Sequence, residues 1–253
     1  MPAASRADAK IRSTATREIV GDDTHLTEEA SAGSVGAPVP SRAVPTPVPS
    51  LLVIRHGQSL WNALARWQGM ADIDLSDLGR EQARSAAAQL AEGPHRFRRV
   101  YASKLARARD TASIIADHLR LDAPATDERW NEADAGPWQG LTPQEIKEQW
   151  PGFLERNRRP DGFEPYDTVV QRSLDAATEL LGSIEPDQPT IVVTHSGVIR
   201  SLRRHLTGAS ERAPNLGGLW LHLVSGRVRA GHDFDPLSAA EVREFSEGPG
   251  QVT

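Results

Sequence analysis

Short apolar runs alternate along the chain with longer stretches in which apolar residues return every three or four positions. Leu51-Leu52-Val53-Ile54 is uninterrupted, as a strand buried on both faces requires. Arg99-Val100-Tyr101-Ala102 and Thr190-Ile191-Val192-Val193-Thr194 have the same character. Between the first two runs, Leu78, Ala83, Ala86, Ala87 and Leu90 fall on one helical stripe behind Ser76, which reads as an N-cap. Leu105, Ala108, Ala112, Ile115 and Leu119 form a second stripe, and Thr142 is placed to cap a short helix ending before Pro151. Val170, Leu174, Ala177, Leu181 and Ile184 predict a longer helix over residues 166–184, and Val198, Ile199, Leu202 and Leu206 another. Residues 219–224 and 227–230 read as strands around the Ser225-Gly226 turn. Helices alternating with short apolar strands predict an α/β domain on a mostly parallel sheet.

Residues 1–50 lack this patterning. They are rich in Ala, Ser, Thr, Pro and Gly with mixed charges, and Pro38, Pro40, Pro45, Pro47 and Pro49 punctuate their last part. Such a stretch has too little apolar surface to offset chain entropy, which predicts a disordered tail. The expected organisation is a disordered tail over 1–50, a folded domain over 51–233 and a fraying polar tail over 234–253. The first segment has no apolar h-region, and its scattered acids argue against a transit peptide. No apolar run approaches the ~20 residues of a membrane helix. A cytoplasmic protein without membrane partners is the expectation. The balance of 29 Lys+Arg against 34 Asp+Glu, net −5, disfavours a nucleic-acid binder. The groups Arg96/Arg98/Arg99, Arg156/Arg158/Arg159 and Arg203/Arg204 read as solvated faces. The absence of cysteine excludes thiol nucleophiles, disulfides and Cys-based metal sites.

Ligands of open parallel sheets sit beyond the carboxyl ends of the strands. Three predicted strands deliver charged or polar groups to that edge: Arg55 and His56 after the first, Ser103 to Arg107 after the second, and His195 after the third long run. Arginine forks match phosphate oxygens and stay charged. A neutral imidazole is a competent nucleophile towards phosphorus, and a second can donate to the phosphoryl oxygens. Glu132 is the candidate acid for the departing alkoxide, with Asp127, Glu128 and Asp134 nearby as ordinary surface carboxylates. This set needs no metal and no cofactor, and two arginines would oppose a cation. Trp130, Trp138 and Trp150 read as packing under loops rather than a substrate mouth.

Taken in order, these residues resemble the histidine phosphatase superfamily, in its phosphoglycerate-mutase-like branch. The likeness runs through Arg55-His56-Gly57-Gln58-Ser59-Leu60-Trp61-Asn62, then Gly69, Asp74-Leu75-Ser76, Gly79 and Gln82-Ala83. It continues in Ser103-Lys104-Leu105-Ala106-Arg107 with Thr111-Ala112, Glu132 with Gly136-Pro137-Trp138-Gln139-Gly140-Leu141, and Thr194-His195-Ser196-Gly197. It implies a doubly wound three-layer α/β sandwich with helices on both faces. It implies a phosphohistidine at His56, Glu132 as proton donor, and a phosphate pocket of Arg55, Asn62, Arg107 and His195, with Ser59 in the binding motif. The implied activity is metal-independent hydrolysis of small phosphorylated metabolites.

Rival readings are a phosphoglycerate-mutase-type phosphotransferase, a metal-dependent hydrolase, and a catalytically silent phosphate-binding scaffold. The Tyr-Gly element and longer insertions of the mutases are not evident. Pro165 stands where many relatives have serine, and removes both a hydroxyl and a backbone N–H. The loops 61–70 and 136–165 are expected to set the substrate.

Overall fold

A computed structural model describes residues 47–237. The tails expected over 1–50 and 234–253 therefore lie mostly outside the described residues. Strand β1 (Ser50–Arg55) leads through the four-residue helix α1 (Leu60–Ala63) into α2 (Asp77–Glu92). Then follow β2 (Arg99–Ala102), α3 (Ala106–Leu119), the two-residue β3 (Ala125–Thr126) and α4 (Pro143–Gln149). Helix α5 (Tyr166–Ser183), β4 (Thr190–Thr194), α6 (Ser196–Thr207), β5 (Gly218–Val224) and β6 (Arg227–Phe234) complete the domain.

The sheet order is β3-β2-β4-β1-β5-β6. Strands β1, β2, β3 and β4 pair in parallel, and β5 runs antiparallel to both β1 and β6. Alternation along each central strand divides the core. Leu52, Ile54, Ile191 and Val193 face Ala86, Ala87 and Leu90 of α2 and Ala108, Ala112 and Ile115 of α3. Leu51, Val53 and Val192 face Ala176, Ala177 and Leu181 of α5 and Val198, Ile199 and Leu202 of α6. Cover on both faces is why β1 and β4 read as unbroken apolar runs. The outcome is the expected three-layer sandwich.

Local chemistry places the helix ends. The Ser76 hydroxyl accepts from Gly79 N at 3.0 Å and starts α2. Thr142 and Glu145 form a reciprocal cap on α4, with Pro143 in its first turn. Gly208, at φ 81°, closes α6 in the left-handed conformation. Several expectations shift. Strand β6 continues to Phe234, and Leu237 is buried, so ordered structure passes residue 233. Arg203 is not on a solvated face: it is buried and donates to Glu211 O at 2.7 Å and Asp233 Oδ1 at 2.7 Å. Arg159 is half-buried, its guanidinium 5.3 Å from the ring centres of Trp138 and Phe163. Trp130 and Trp138 are fully buried, as packing under loops requires.

Candidate active site

Strands β1 and β4 are neighbours, yet the chain leaves β1 towards the α2/α3 layer and leaves β4 towards the α5/α6 layer. That divergence opens a crevice at their carboxyl ends. His56 extends β1, its N–H donating to Thr194 O at 3.0 Å, and Ser103 extends β2 through Val193 O at 3.0 Å. His195 follows β4 directly. The two imidazole rings meet edge to face with centroids 5.1 Å apart.

The loop after His56 is pinned from α2 and α3. Gly57 N donates to Thr111 Oγ1 at 3.0 Å, and Gln58 N to Gln82 Oε1 at 2.8 Å. A Cβ on Gly57 would strike the Gly79 carbonyl oxygen, so the α2 backbone approaches only because both positions are glycine. Within this fixed loop His56 Nδ1 lies 2.6 Å from Gly57 O. A carbonyl only accepts, so Nδ1 carries the proton and Nε2 keeps its lone pair. Arg107 Nε donates to that Nε2 at 3.2 Å. Burial, with Arg107 and Arg55 beside it, holds the His56 imidazole well below the usual histidine range, against a smaller opposing effect of the Gly57 bond.

The neighbouring ring is fixed by a longer chain of bonds. Asn131 Oδ1 accepts from Lys104 N at 2.9 Å and from Ser103 Oγ at 3.0 Å. The Ser103 oxygen, its proton committed, accepts from Leu105 N at 3.1 Å and lies 2.7 Å from His195 Nε2. His195 therefore donates from Nε2, and its Nδ1 is a buried atom with no partner among the described residues. Burial first, then Arg107, His56 and Arg55, hold this imidazole well below its usual range as well.

Arg107, on the first turn of α3, is fully buried and donates to Ala71 O at 2.7 Å and Gly69 O at 3.0 Å. Burial brings its guanidinium down to about 10, opposed by Glu132 and Asp72. Arg55, half-buried, donates to Ala213 O at 3.1 Å and keeps a buried Nε–H without a partner. Burial brings it also to about 10, opposed by Glu132 and helped by Arg212 and Arg107. Both remain cations near neutral pH.

Glu132 joins this group through α6. Its Oε2 accepts from Gly197 N at 3.0 Å and its Oε1 from Ala133 N at 2.8 Å. A Cβ at residue 197 would collide with that carboxylate, so the glycine is what admits it. Arg172 of α5 clamps the same loop, donating to Arg129 O and Asn131 O at 2.7 Å each and to Glu132 O at 3.2 Å. Glu164 anchors the clamp, accepting from Arg172 Nε at 2.8 Å.

The structure thus brings His56, His195, Arg55, Arg107 and Glu132 into one crevice. Ser59 and Asn62 are occupied differently. Ser59 caps α1, accepting from Asn62 N at 3.1 Å and donating to Gln68 Oε1 at 2.7 Å, while Asn62 Oδ1 accepts from Ser59 N at 3.2 Å. Among the described residues no cluster of three or more His, Asp or Glu side chains is disposed to hold a metal ion. No helix among them is long and apolar enough to cross a membrane.

A model of the histidine phosphatase superfamily (branch 1) matches residues 51–222. The chain belongs to that superfamily. This histidine phosphatase is 38% identical over 210 residues to the glucosyl-3-phosphoglycerate phosphatase of Mycolicibacterium vanbaalenii, covering 76% of this chain and 90% of that protein. It is 34% identical over 175 residues to a metal-independent phosphoserine phosphatase of Arabidopsis thaliana, covering 66% and 73% of the two chains. Among solved structures, a mycobacterial glucosyl-3-phosphoglycerate phosphatase with VO3 superposes with a TM-score of 0.65 at 31% identity, covering 73% of this chain and 98% of that one.

The neutral imidazoles give the histidine phosphatase a pH-dependent stability. Unfolded histidine titrates near 6.5, roughly, and the folded values of His56 and His195 lie well below that. Below pH ~6.5 the unfolded chain binds protons that the folded crevice refuses, so the stability present above that pH is lost as pH falls towards the folded values. The slope is up to about 1.4 kcal/mol per pH unit for each ring. Burial also lowers His95 and His222, in the same direction. Urea midpoints should decline between pH 7 and 5, and a His56→Asn/His195→Asn double variant should flatten that decline. An unchanged slope in the variant would remove the crevice histidines as its source.

Proposed function

We propose that this chain is a metal-independent phosphomonoester hydrolase that works through a phosphohistidine at His56 on small phosphorylated metabolites of the cytoplasm. One observation carries the reading. A neutral imidazole with its Nε2 lone pair turned to a buried arginine lies beside two orphaned buried nitrogens, Arg55 Nε and His195 Nδ1. A phosphoryl group at that point offers an oxygen to the Arg55 Nε–H and phosphorus to the His56 lone pair, and its charge favours protonation of His195 Nδ1, which then donates to a second oxygen.

His56 Nε2 attacks phosphorus, forming the P–N bond as the ester P–O bond breaks in line. Glu132, as the acid, gives its proton to the departing oxygen. Arg55 and Arg107 hold the phosphoryl oxygens, and His195 donates from Nδ1 once the anion has drawn a proton onto it. Glu132, now a carboxylate, takes a proton from water as the water oxygen attacks phosphorus. The P–N bond breaks, inorganic phosphate leaves, and His56 returns neutral. The named activities of the relatives, hydrolysis of glucosyl-3-phosphoglycerate and of phosphoserine, support the reaction class.

The test is rapid acid-free quenching of the enzyme during turnover of a 32P-labelled ester in the presence of EDTA. A label on His56 that is stable to base and lost in acid is the expected result. Turnover without label, or turnover abolished by EDTA, would contradict the mechanism.

A further inference from the structure

A chain of buried side chains decides which nitrogen of His195 carries the proton. It starts from a backbone group with no alternative role. Lys104 N–H donates to the side chain of Asn131 at 2.9 Å, and a backbone N–H only donates, so the Asn131 atom that receives it is the oxygen. Ser103 Oγ lies 3.0 Å from the same oxygen, has one proton and gives it there. Its lone pairs then accept, one from Leu105 N at 3.1 Å and one from His195 Nε2 at 2.7 Å. Ser103 and His195 are fully buried and Asn131 nearly so, so bulk water offers Nε2 no other partner. A neutral His195 is thereby left with a bare lone pair on its buried, unpartnered Nδ1.

A lone pair repels a phosphoryl oxygen that an N–H would attract. At rest the surroundings deny Nδ1 its proton. Burial acts first, then Arg107 of α3, His56 just after β1, Arg55 at the end of that strand and Arg172 of α5, and the ring also stands at the positive end of α6. Glu132 is the opposing charge in the crevice, and its carboxylate is occupied by Gly197 N and Ala133 N. A bound dianion reverses this balance and makes a cation at His195 favourable. Asn131 also ties the relay to the acid loop, since it directly precedes Glu132 and its carbonyl accepts from Arg172 Nη1 at 2.7 Å.

We propose that Ser103 and Asn131 are positioning residues that hold His195 in its Nε2–H form, so that a tetrahedral dianion entering the crevice takes up one proton at His195 Nδ1. The inference rests on the phosphatase reading for the place of the anion and adds no chemical step. Solvent supplies the proton, or the ester brings it when it arrives as the monoanion. The loaded His195 is a cation that donates from both nitrogens, to Ser103 Oγ and to a phosphoryl oxygen. Charge-assisted bonds of this kind are roughly twice as strong as neutral ones. The relay reserves them for the occupied crevice.

The test uses sulfate, a tetrahedral dianion that does not titrate near neutral pH, with the full chain labelled with 15N-histidine. His56→Asn assigns the two crevice rings by difference. In the parent the His195 ring should be the Nε2–H form without sulfate and doubly protonated with it. One proton binds with each anion, so affinity falls as pH rises: the sulfate Kd read from that ring should increase about tenfold per pH unit between roughly pH 6.5 and 8. Ser103→Ala removes the acceptor at Nε2, and Asn131→Ala frees the Ser103 proton to turn towards Nε2. In either variant a neutral ring can carry its proton on Nδ1, so the Kd should change by less than about twofold per pH unit and no second proton should appear on the ring. Ser103→Thr keeps the hydroxyl and should restore the parent behaviour. An Nδ1–H ring in the unliganded parent, a parent ring whose response to sulfate is absent or indifferent to pH, or proton uptake that survives in folded Ser103→Ala overturns the relay. Phosphate release from p-nitrophenyl phosphate and alkyl phosphates is followed in parallel. Release without these ring signals overturns the relay and leaves the phosphatase intact, whereas the ring signals without release from any ester overturn the phosphatase alone.

Discussion

His56→Ala is expected to abolish phosphate release, with kcat falling by at least roughly 10³-fold, because removal of a nucleophile eliminates a route rather than weakening it. No other group in the crevice is equipped to replace it. His195 donates to Ser103 through Nε2 and is fixed by the Asn131 chain, so its remaining nitrogen cannot turn to follow the attack trajectory of Nε2 of His56. The ring is buried and its Nδ1–H is bonded to Gly57 O, so alanine leaves a small void and an unsatisfied carbonyl. His56→Asn is the folded control: its amide can donate to the same carbonyl but has no nucleophilic lone pair. Both variants should still bind inorganic phosphate or vanadate through Arg55 and Arg107, measured calorimetrically, while giving no acid-labile label. More than a few per cent of the parent kcat in a folded variant would refute the assignment.

The second large effect falls on Glu132→Gln, for which kcat on an alkyl phosphate should drop by about 10²–10⁴-fold. The loss should depend on the leaving group. An alkoxide needs the proton in the first step, whereas p-nitrophenolate departs without it. With p-nitrophenyl phosphate the variant should give a burst of one equivalent and then stall, since the same carboxylate is needed to activate water. Phosphohistidine should accumulate. The substitution also turns one oxygen that accepts from Gly197 N or Ala133 N into a donor. A stability loss of about 1–3 kcal/mol is expected from that mismatch, and a denaturation curve separates it from the kinetic effect. Equal losses with good and poor leaving groups, and no burst, would show that Glu132 does not transfer the proton.

The sequence made legible those parts of the molecule in which burial leaves a periodic trace. Strands β1, β2 and β4 lie in the middle of the sheet and needed apolar residues on both faces, so four or five letters sufficed to find them. Strand β3, two exposed residues at the sheet edge, leaves no such trace. In α5 the stripe was found but its face was partly misread: Val169, Ser173 and Ala176 are buried, while Leu174 packs only at the margin of the core. The crevice was legible where each group directly follows a strand, as His56 and His195 do. It was not legible where the group works through distant bonds. Asn131, Arg172 and Asn215 bear on the site through partners 28, 40 and 159 positions away, and nothing in their own neighbourhood signals it. Ser59 and Asn62 illustrate the reverse, since a motif that reads as phosphate-binding also supplies the helix cap of α1.

The reactive atom proposed for this crevice is a ring nitrogen, and the chain contains no cysteine. Peroxide and nitrosating agents act on thiolates of low pKa and leave imidazole largely untouched. The crevice therefore offers oxidants no thiolate on which to install a reversible brake. Agents that act only on thiolates leave the proposed nucleophile in its working form.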